Sequence, residues 1–231
     1  MNLNTYINEF LFGLYPYICL AVFLLGSLLR FDREQYSWKS DSSQLLRHGQ
    51  LRAGSNLFHL GILIIFFGHL VGLLTPMTVW HTLGVTAQAK QILAIVAGGI
   101  AGIACLLGLL LLVHRRIFDP RIRANTRPMD MVILLLLLAQ LLLGLFSITL
   151  SMQHLDGGEM VKFMLWAQHI VTFRGNAASF VTDVSMVFKL HLALGMTIFL
   201  IFPFTRLVHV WSGFAAIVYL FRPYQIVRGR N

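Results

Sequence analysis

The sequence predicts an all-α membrane protein with five transmembrane helices, and three observations lead to this fold class. Of the 231 residues, 57% are hydrophobic and only 12% are charged, whereas a soluble domain has about 25% charged residues. Five apolar runs reach or exceed the roughly 20 residues that cross a bilayer. Basic residues cluster in the loops between alternate runs. Since lipid offers the backbone no hydrogen-bond partners, runs of this length are predicted to be helices.

The predicted spans follow one another without an internal repeat, so residues 1–231 are expected to form a single membrane domain. The spans cover residues 10–29, 53–74, 91–113, 131–150 and 184–211. The first span is not preceded by a basic segment, which favours a retained helix over a cleaved signal peptide. Between the last two spans, MVKFMLWAQHIVTF is expected to be an interfacial helix with Trp166 at the level of the headgroups.

Positive charge orients the predicted bundle, because cytoplasmic loops carry an excess of lysine and arginine. One side would hold Arg30, Arg33, Lys39, Arg47, Arg52, Arg115, Arg116, Arg121, Arg123, Arg127, Arg206, Arg222, Arg228 and Arg230. The other side would hold only Lys90, Lys162, Arg174 and Lys189. The N-terminus is therefore predicted outside, and the C-terminus, with a tail of about residues 212–231, in the cytoplasm. This placement also argues against nucleic acid as the partner of the net charge of +9.

Four of the nine histidines lie within predicted spans, and only two spans contain them. His59 and His69 belong to the second span, and His191 and His209 to the fifth. An ionisable side chain inside a membrane is costly and points to a function. If the two spans are antiparallel, His59 faces His209 near the cytoplasm and His69 faces His191 near the outside. The other five histidines are expected to be solvated or interfacial.

The histidine spacings of the two spans differ. In a straight α-helix, ten residues rise about 15 Å and eighteen residues rise about 27 Å. We therefore expect the helices to tilt relative to each other, or any groups bound between the histidines to be inclined. Eighteen residues make five whole turns, so His191 and His209 should share one helix face, whereas His59 and His69 should point about 80° apart.

Two imidazoles at each level, with no carboxylate or thiolate at a similar depth, favour haem iron with two axial histidines. A zinc site would require four protein ligands, or three and a water. The sequence has no C-x-x-C-H motif, so the haem would be non-covalent and b-type. The alternative is hydrogen bonding between helices, or a proton relay. Small residues near the histidines would admit a macrocycle or permit close helix packing. They are Gly61, Gly68, Gly72 and Gly195.

The chain resembles the gamma subunit of the membrane-bound respiratory nitrate reductases in SNLFHLGILIIFFGHLVGLLTP and FKLHLALGMTIFLIFPFTRLVHVWS. The likeness extends to LYPYI, RFDREQYSWKSDSSQLL, AKQILAIVAGG, RRIFDPRIRA and WAQHIVTF. It implies a five-helix dihaem cytochrome b of the bacterial inner membrane that oxidises menaquinol or ubiquinol near the outer face. Electrons would pass to an iron–sulfur beta subunit and then to a molybdenum alpha subunit that reduces nitrate.

The resemblance also assigns the haem ligands. Carried over by position, His69 and His191 would ligate an outer, distal haem, and His59 and His209 an inner, proximal one. This agrees with the pairing that the loop charges predict.

Other polar residues have two interpretations each. The resemblance implies Lys90 at the quinol site, where it would stabilise the developing anion; the alternative is a snorkelling interfacial lysine. Gly68 would leave room there for the quinol ring. Arg115, Arg116 and Arg206 are candidate partners of haem propionates, and Arg116 is the one we select; the alternative is a role in topology and lipid binding.

Other functions remain open from the sequence. One is a quinol-linked cytochrome b of another reductase, of the heterodisulfide or sulfite type. Another is a haem-free transporter or membrane anchor.

Overall fold

A computed structural model describes residues 2–34 and 48–212, and this part of the chain is helical, without strands. The helices are α1 (Leu3–Glu9), α2 (Tyr15–Arg33), α3 (His48–Leu74), α4 (Met77–Thr82), α5 (Ala87–Phe118), α6 (Pro120–Ala124), α7 (Pro128–Ser151), α8 (Gly158–Val171) and α9 (Met186–Ile201). A π-helical turn, Phe10–Leu14, joins α1 to α2. Short 3₁₀ turns cover Ala177–Val181, Phe202–Phe204 and Arg206–Val208.

Five helical segments of the described residues are long and apolar enough to cross a membrane, which confirms the predicted fold class. They are Leu3–Arg33, Gly49–Leu74, Ala87–Phe118, Pro128–Ser151 and Met186–Phe204. Most extend beyond the apolar runs because polar caps set their ends. The Thr86 side chain accepts a hydrogen bond at the start of α5, and Pro128 occupies the first turn of α7. The orientation of the termini across the membrane stays a prediction.

The spans pack side by side in the order α3, α5, α7, α9, α2. Large apolar side chains such as Leu25, Leu60 and Ile100 remain more than half exposed, as expected for a surface in contact with lipid. The closest approach joins α3 to α5. A Cβ atom added to Gly61 would lie 2.7 Å from the Ala101 carbonyl oxygen, so Gly61 serves close helix packing.

The apolar core lies at the predicted outer end, where α8 and the turn Ala177–Val181 cover the start of the first span. Trp166 of α8 is only 4% exposed, and its Nε1 donates to the Phe12 carbonyl at 2.9 Å. This carbonyl belongs to the π-helical turn, where the regular α-helical pattern is interrupted. The indole of Trp166 therefore packs inside the protein and is not exposed to lipid headgroups, while its depth in the membrane stays a prediction.

The fifth span was predicted as one helix, but it is interrupted in the structure. The α-helix ends at Ile201, and Pro203, which has no N–H to donate, lies in the 3₁₀ turn that follows. Thr205 is extended, with φ −116° and ψ 176°, and the chain becomes helical again at His209. The prediction of a straight 27 Å rise is therefore wrong, because residues 191–209 do not form one α-helix. The rings of His191 and His209 nevertheless both face α3.

Several predicted features lie outside the described residues. They are Lys39 and Arg47 of the first inner loop, and the tail from residue 213 onward.

Candidate functional site

The structure brings the four histidines of the predicted spans together as two pairs. The ring centroids of His59 and His209 lie 6.2 Å apart, with 73° between the ring planes. Those of His69 and His191 lie 6.3 Å apart, with 42° between the planes. Each pair therefore joins α3 to the fifth span. We call them the inner pair and the outer pair, after the predicted orientation.

Both pairs have the separation that one iron between two imidazoles requires. A first-row metal lies about 2 Å from an imidazole nitrogen, so ring centroids on opposite sides of it are about 6–6.5 Å apart. Among the described residues, no three His, Cys, Asp or Glu side chains come together as a metal site. A metal at either pair would therefore have two protein ligands, which suits the iron of a haem and not zinc.

Three of the four rings share one local anchor, a hydrogen bond from Nδ1 to a backbone carbonyl three or four residues earlier. The contacts are His59 to Ser55 (2.7 Å), His69 to Ile65 (2.8 Å) and His209 to Arg206 (2.6 Å). A proton on Nδ1 leaves Nε2 free as a metal ligand and fixes the ring orientation. The orientation of these three rings is thus fixed by hydrogen bonds within their own stretch of chain.

His191 has different surroundings. Its Nδ1 is buried and has no hydrogen-bond partner in the described structure. The amide nitrogen of Gln140, on α7, donates to the His191 carbonyl at 3.1 Å and lies 3.4 Å from the ring Nε2. A Cβ atom on Gly144 would lie 3.0 Å from the ring Cε1. Gln140 and Gly144 were not predicted from the sequence. The lone amide in the run LLLLLAQLLLGL was a signal, since polar residues are rare in spans.

Lys90, near the start of α5, is buried and only 4% exposed. Its ammonium donates to the Gly72 carbonyl at 2.6 Å, lies 2.9 Å from the Met164 sulfur, and is 5.4 Å from the centre of the Trp80 ring. A snorkelling lysine would reach the surface, so that alternative does not fit the structure. A cation beside the last carbonyls of α3 also stabilises the helix end. The contact at Gly72 places the ammonium within one helical turn of His69.

Gly68 and Gly72 differ from Gly61 of the same helix. A Cβ atom on either would meet no atom of the described structure within 4 Å. These two glycines therefore do not serve helix packing. Because they are four residues apart, they lie on one face of α3 next to His69 and leave that face without side chains.

Next to the inner pair, Asp130 lies between two arginines. Its carboxylate is 3.8 Å from Arg116 and 3.7 Å from Arg206, and all three side chains are less than 20% exposed. Arg116 also donates to the Thr126 hydroxyl at 3.3 Å. The Arg206 carbonyl accepts from His209 at 2.6 Å, which connects this cluster to the pair. The two guanidinium groups suit an anionic group at the inner end.

Comparisons with known proteins give one family. The model of the nitrate reductase gamma subunit family matches residues 8–230. The chain is 50% identical over 226 residues to the respiratory nitrate reductase 1 gamma chain of Escherichia coli (strain K12), covering 98% of this chain and 99% of the relative. It is 52% identical over 228 residues to the respiratory nitrate reductase 2 gamma chain of that strain, with the same coverage. Identity to the nitrate reductase gamma chain of Bacillus subtilis (strain 168) is 40% over 224 residues, covering 97% and 99%.

Proposed function

The chain belongs to the nitrate reductase gamma subunit family, and from this premise we propose that it is the quinol-oxidising, dihaem subunit of a respiratory nitrate reductase. The family membership confirms the resemblance predicted from the motifs. Members are membrane cytochrome b subunits of an oxidoreductase complex, and the five apolar spans fit a multi-pass protein of the bacterial inner membrane. The observation that supports two haems is the pair of cross-helix imidazole separations, 6.2 Å and 6.3 Å.

Each pair would hold one b haem. His59 and His209 are proposed for the inner haem, and His69 and His191 for the outer one. Haem iron supplies one-electron transfer, which links a two-electron donor to a chain of one-electron acceptors. The protein orients the imidazoles through their Nδ1 hydrogen bonds and provides the flat surface at Gly68.

Quinol is proposed to bind beside the outer pair, between Gly68 and Lys90. Its oxidation breaks two O–H bonds and releases two protons and two electrons. The buried ammonium of Lys90, free of bulk water, would stabilise the quinol oxygen as its proton departs. The Met164 sulfur and the Gly72 carbonyl hold the ammonium in place. With the N-terminus outside, the protons leave outward while the electrons move toward the cytoplasm, so charge crosses the membrane.

Arg116 is proposed to contact an inner haem propionate together with Arg206. Both guanidinium groups lie beside the Asp130 carboxylate in this partly buried cluster, which holds two cationic donors at the inner end. The low exposure of the three side chains favours this role over contact with lipid headgroups. Arg115, the third candidate, is buried and precedes Arg116 in the chain.

The partners are proposed to be an iron–sulfur beta subunit and a molybdenum alpha subunit on the cytoplasmic side. The family membership implies a multi-subunit complex and a quinol, either menaquinol or ubiquinol. The inner loops and the tail, which lies outside the described residues, are the proposed docking surface.

The test is to replace His69 or His59 by alanine in the complete complex. We expect each variant to lose one b haem, to retain the other and to lose nitrate reduction by quinol. The reduced-minus-oxidised spectrum and a haem assay measure the loss. The matched control is His81→Ala, an exposed histidine of α4, which should keep both haems.

Three outcomes contradict the proposal. Retention of both haems in either ligand variant would refute that ligand assignment. A wild-type protein without a b-type band would instead support the haem-free anchor. Co-purification of a different reductase would favour the alternative complex of the heterodisulfide or sulfite type.

A further inference from the structure

We propose that Gln140 is the positioning residue of His191, and that its carboxamide oxygen accepts the imidazole N–H when the other ring nitrogen binds iron. The inference rests on the proposed role of His191 as a haem ligand. The observation behind it is the direct contact between the two side chains across α7 and α9.

His191 is the histidine that needs such a partner. The other three rings each have a backbone carbonyl for Nδ1. A metal-bound histidine normally donates its second ring N–H to an acceptor, which fixes the ring and makes the ligand more basic. In the described structure, the His191 Nδ1 is buried and unpaired.

Gln140 supplies the missing acceptor. Its Oε1 is also buried and unpaired in the described structure, although its Nε2 already lies 3.4 Å from the His191 ring. Buried polar groups are nearly always hydrogen-bonded, since each unpaired group lowers stability. Rotation about the soft terminal torsions of the two side chains would bring the acceptor to the ring N–H. Each residue would then satisfy the other.

Two glycines make room for this contact in a reciprocal way. On α7, Gly144 follows Gln140 by four residues, and on α9, Gly195 follows His191 by four. A Cβ atom on Gly144 would lie 3.0 Å from the His191 ring, and one on Gly195 would lie 3.1 Å from the Gln140 amide. Because residues four apart lie on one helix face, each polar side chain fits against the glycine of the opposite helix.

The hydrogen bond from His191 to Gln140 should lower the reduction potential of the outer haem relative to a haem without this acceptor. An acceptor on the N–H raises the basicity of the imidazole and favours ferric iron. Removal of the acceptor should therefore favour the ferrous state. The inner pair has no contact with Gln140, so its potential should not change.

The test is Gln140→Leu in the complete complex, followed by optical redox titration and electron paramagnetic resonance. We expect both haems to be present and the outer potential to rise. The ferrous-to-ferric ratio at a fixed potential should increase about tenfold, or ~59 mV for a one-electron couple. The resonance signal of the outer ferric haem should also change, since it depends on the angle between the imidazole planes.

Gln140→Glu is the conservative variant, because it retains an oxygen acceptor and should restore the wild-type signal or lower the potential further. The matched control is Ser147→Ala. Ser147 lies two turns further along α7, donates to the Gly144 carbonyl at 2.7 Å and has no contact with a ligand. Both potentials should stay unchanged in this control.

Wild-type potentials and resonance signals in Gln140→Leu would overturn the inference, as would an equal shift of both haems. Loss of the outer haem in Gln140→Leu supports it if Gln140→Glu retains that haem, and overturns it if both variants lose it. His191→Ala tests the underlying assignment separately. Two retained haems in that variant would refute the ligand role, a result distinct from an unshifted potential.

Discussion

The inner and outer histidine pairs have similar separations, 6.2 Å and 6.3 Å, but very different surroundings. The inner pair borders the ion-paired cluster around Asp130, and one of its members, His209, follows the break at Pro203. The outer pair lies within regular helices, and the packed segment of α8 and the buried Lys90 lie toward its end of the bundle. The same kind of histidine pair thus has charged neighbours at the inner end and mainly apolar neighbours at the outer end.

This difference matches two different tasks. A charged inner end suits electron transfer to a soluble partner and the binding of anionic groups. An apolar outer end with a single buried cation suits a lipid-soluble quinol whose oxygen becomes negative during oxidation. The contrast can be tested by changes at each end, beginning with the largest expected effect.

Removal of the inner ligand should separate the two ends most clearly. In His209→Ala, we expect loss of the inner haem, while quinol still reduces the outer one. Nitrate reduction by quinol should fall to background because the path to the soluble subunits is interrupted. Stopped-flow spectra and nitrate assays measure both effects. Loss of the outer haem in this variant, with the inner one intact, would reverse the assignment.

Lys90→Met should affect only the outer end. We expect quinol oxidation to fall about 100-fold, the usual effect of removing one group that stabilises an anionic intermediate, while both haems remain. Steady-state kinetics with a soluble quinol analogue measure the change, and Lys162→Met of α8 is the control. An unchanged rate of quinol oxidation together with a lower melting temperature would contradict the quinol role and show that Lys90 only stabilises the end of α3.

Gly68→Val and Gly61→Val compare the two surfaces of α3. A Cβ atom at Gly68 would meet no atom of the described structure within 4 Å, so the helix of the valine variant should fold normally. Quinol oxidation should nevertheless decrease by about tenfold, the effect of ~1.4 kcal/mol. Valine at Gly61 would collide with α5 and cost about 1–3 kcal/mol of stability. Kinetics and thermal unfolding in detergent distinguish these effects. A Gly68 variant with normal kinetics would remove this glycine from the quinol site.

Asp130→Asn should have the smallest effect and should concern the inner end. It removes the carboxylate between Arg116 and Arg206, which we expect to cost about 1 kcal/mol, or about 2–4 °C in melting temperature. The control is Asp32→Asn, since Asp32 forms a strongly exposed pair with Arg33 at 3.9 Å. An equal change in both variants would show that burial of the inner cluster adds nothing.

Local patterns explain why much of the candidate site was predictable. The four histidines stand out because ionisable residues are rare in apolar runs, and loop charge predicts their pairing. Gln140 has a weaker signal, since a single amide in a span does not reveal its neighbour. The burial of Lys90 was not predictable either, because its contacts with Gly72 and Met164 join three separate helices.

By itself, the sequence determined the membrane class, the number of spans, the four histidines of the candidate site and the family. These properties depend on apolar length, charge and motifs, which are local in the chain. Only the tertiary structure decided the break after Ile201, the position of Trp166 in the core and the contact of Gln140 with His191. The last two features depend on a neighbour from a distant part of the chain, and the first depends on how proline interrupts a helix. Neither effect can be read from the hydropathy of a segment.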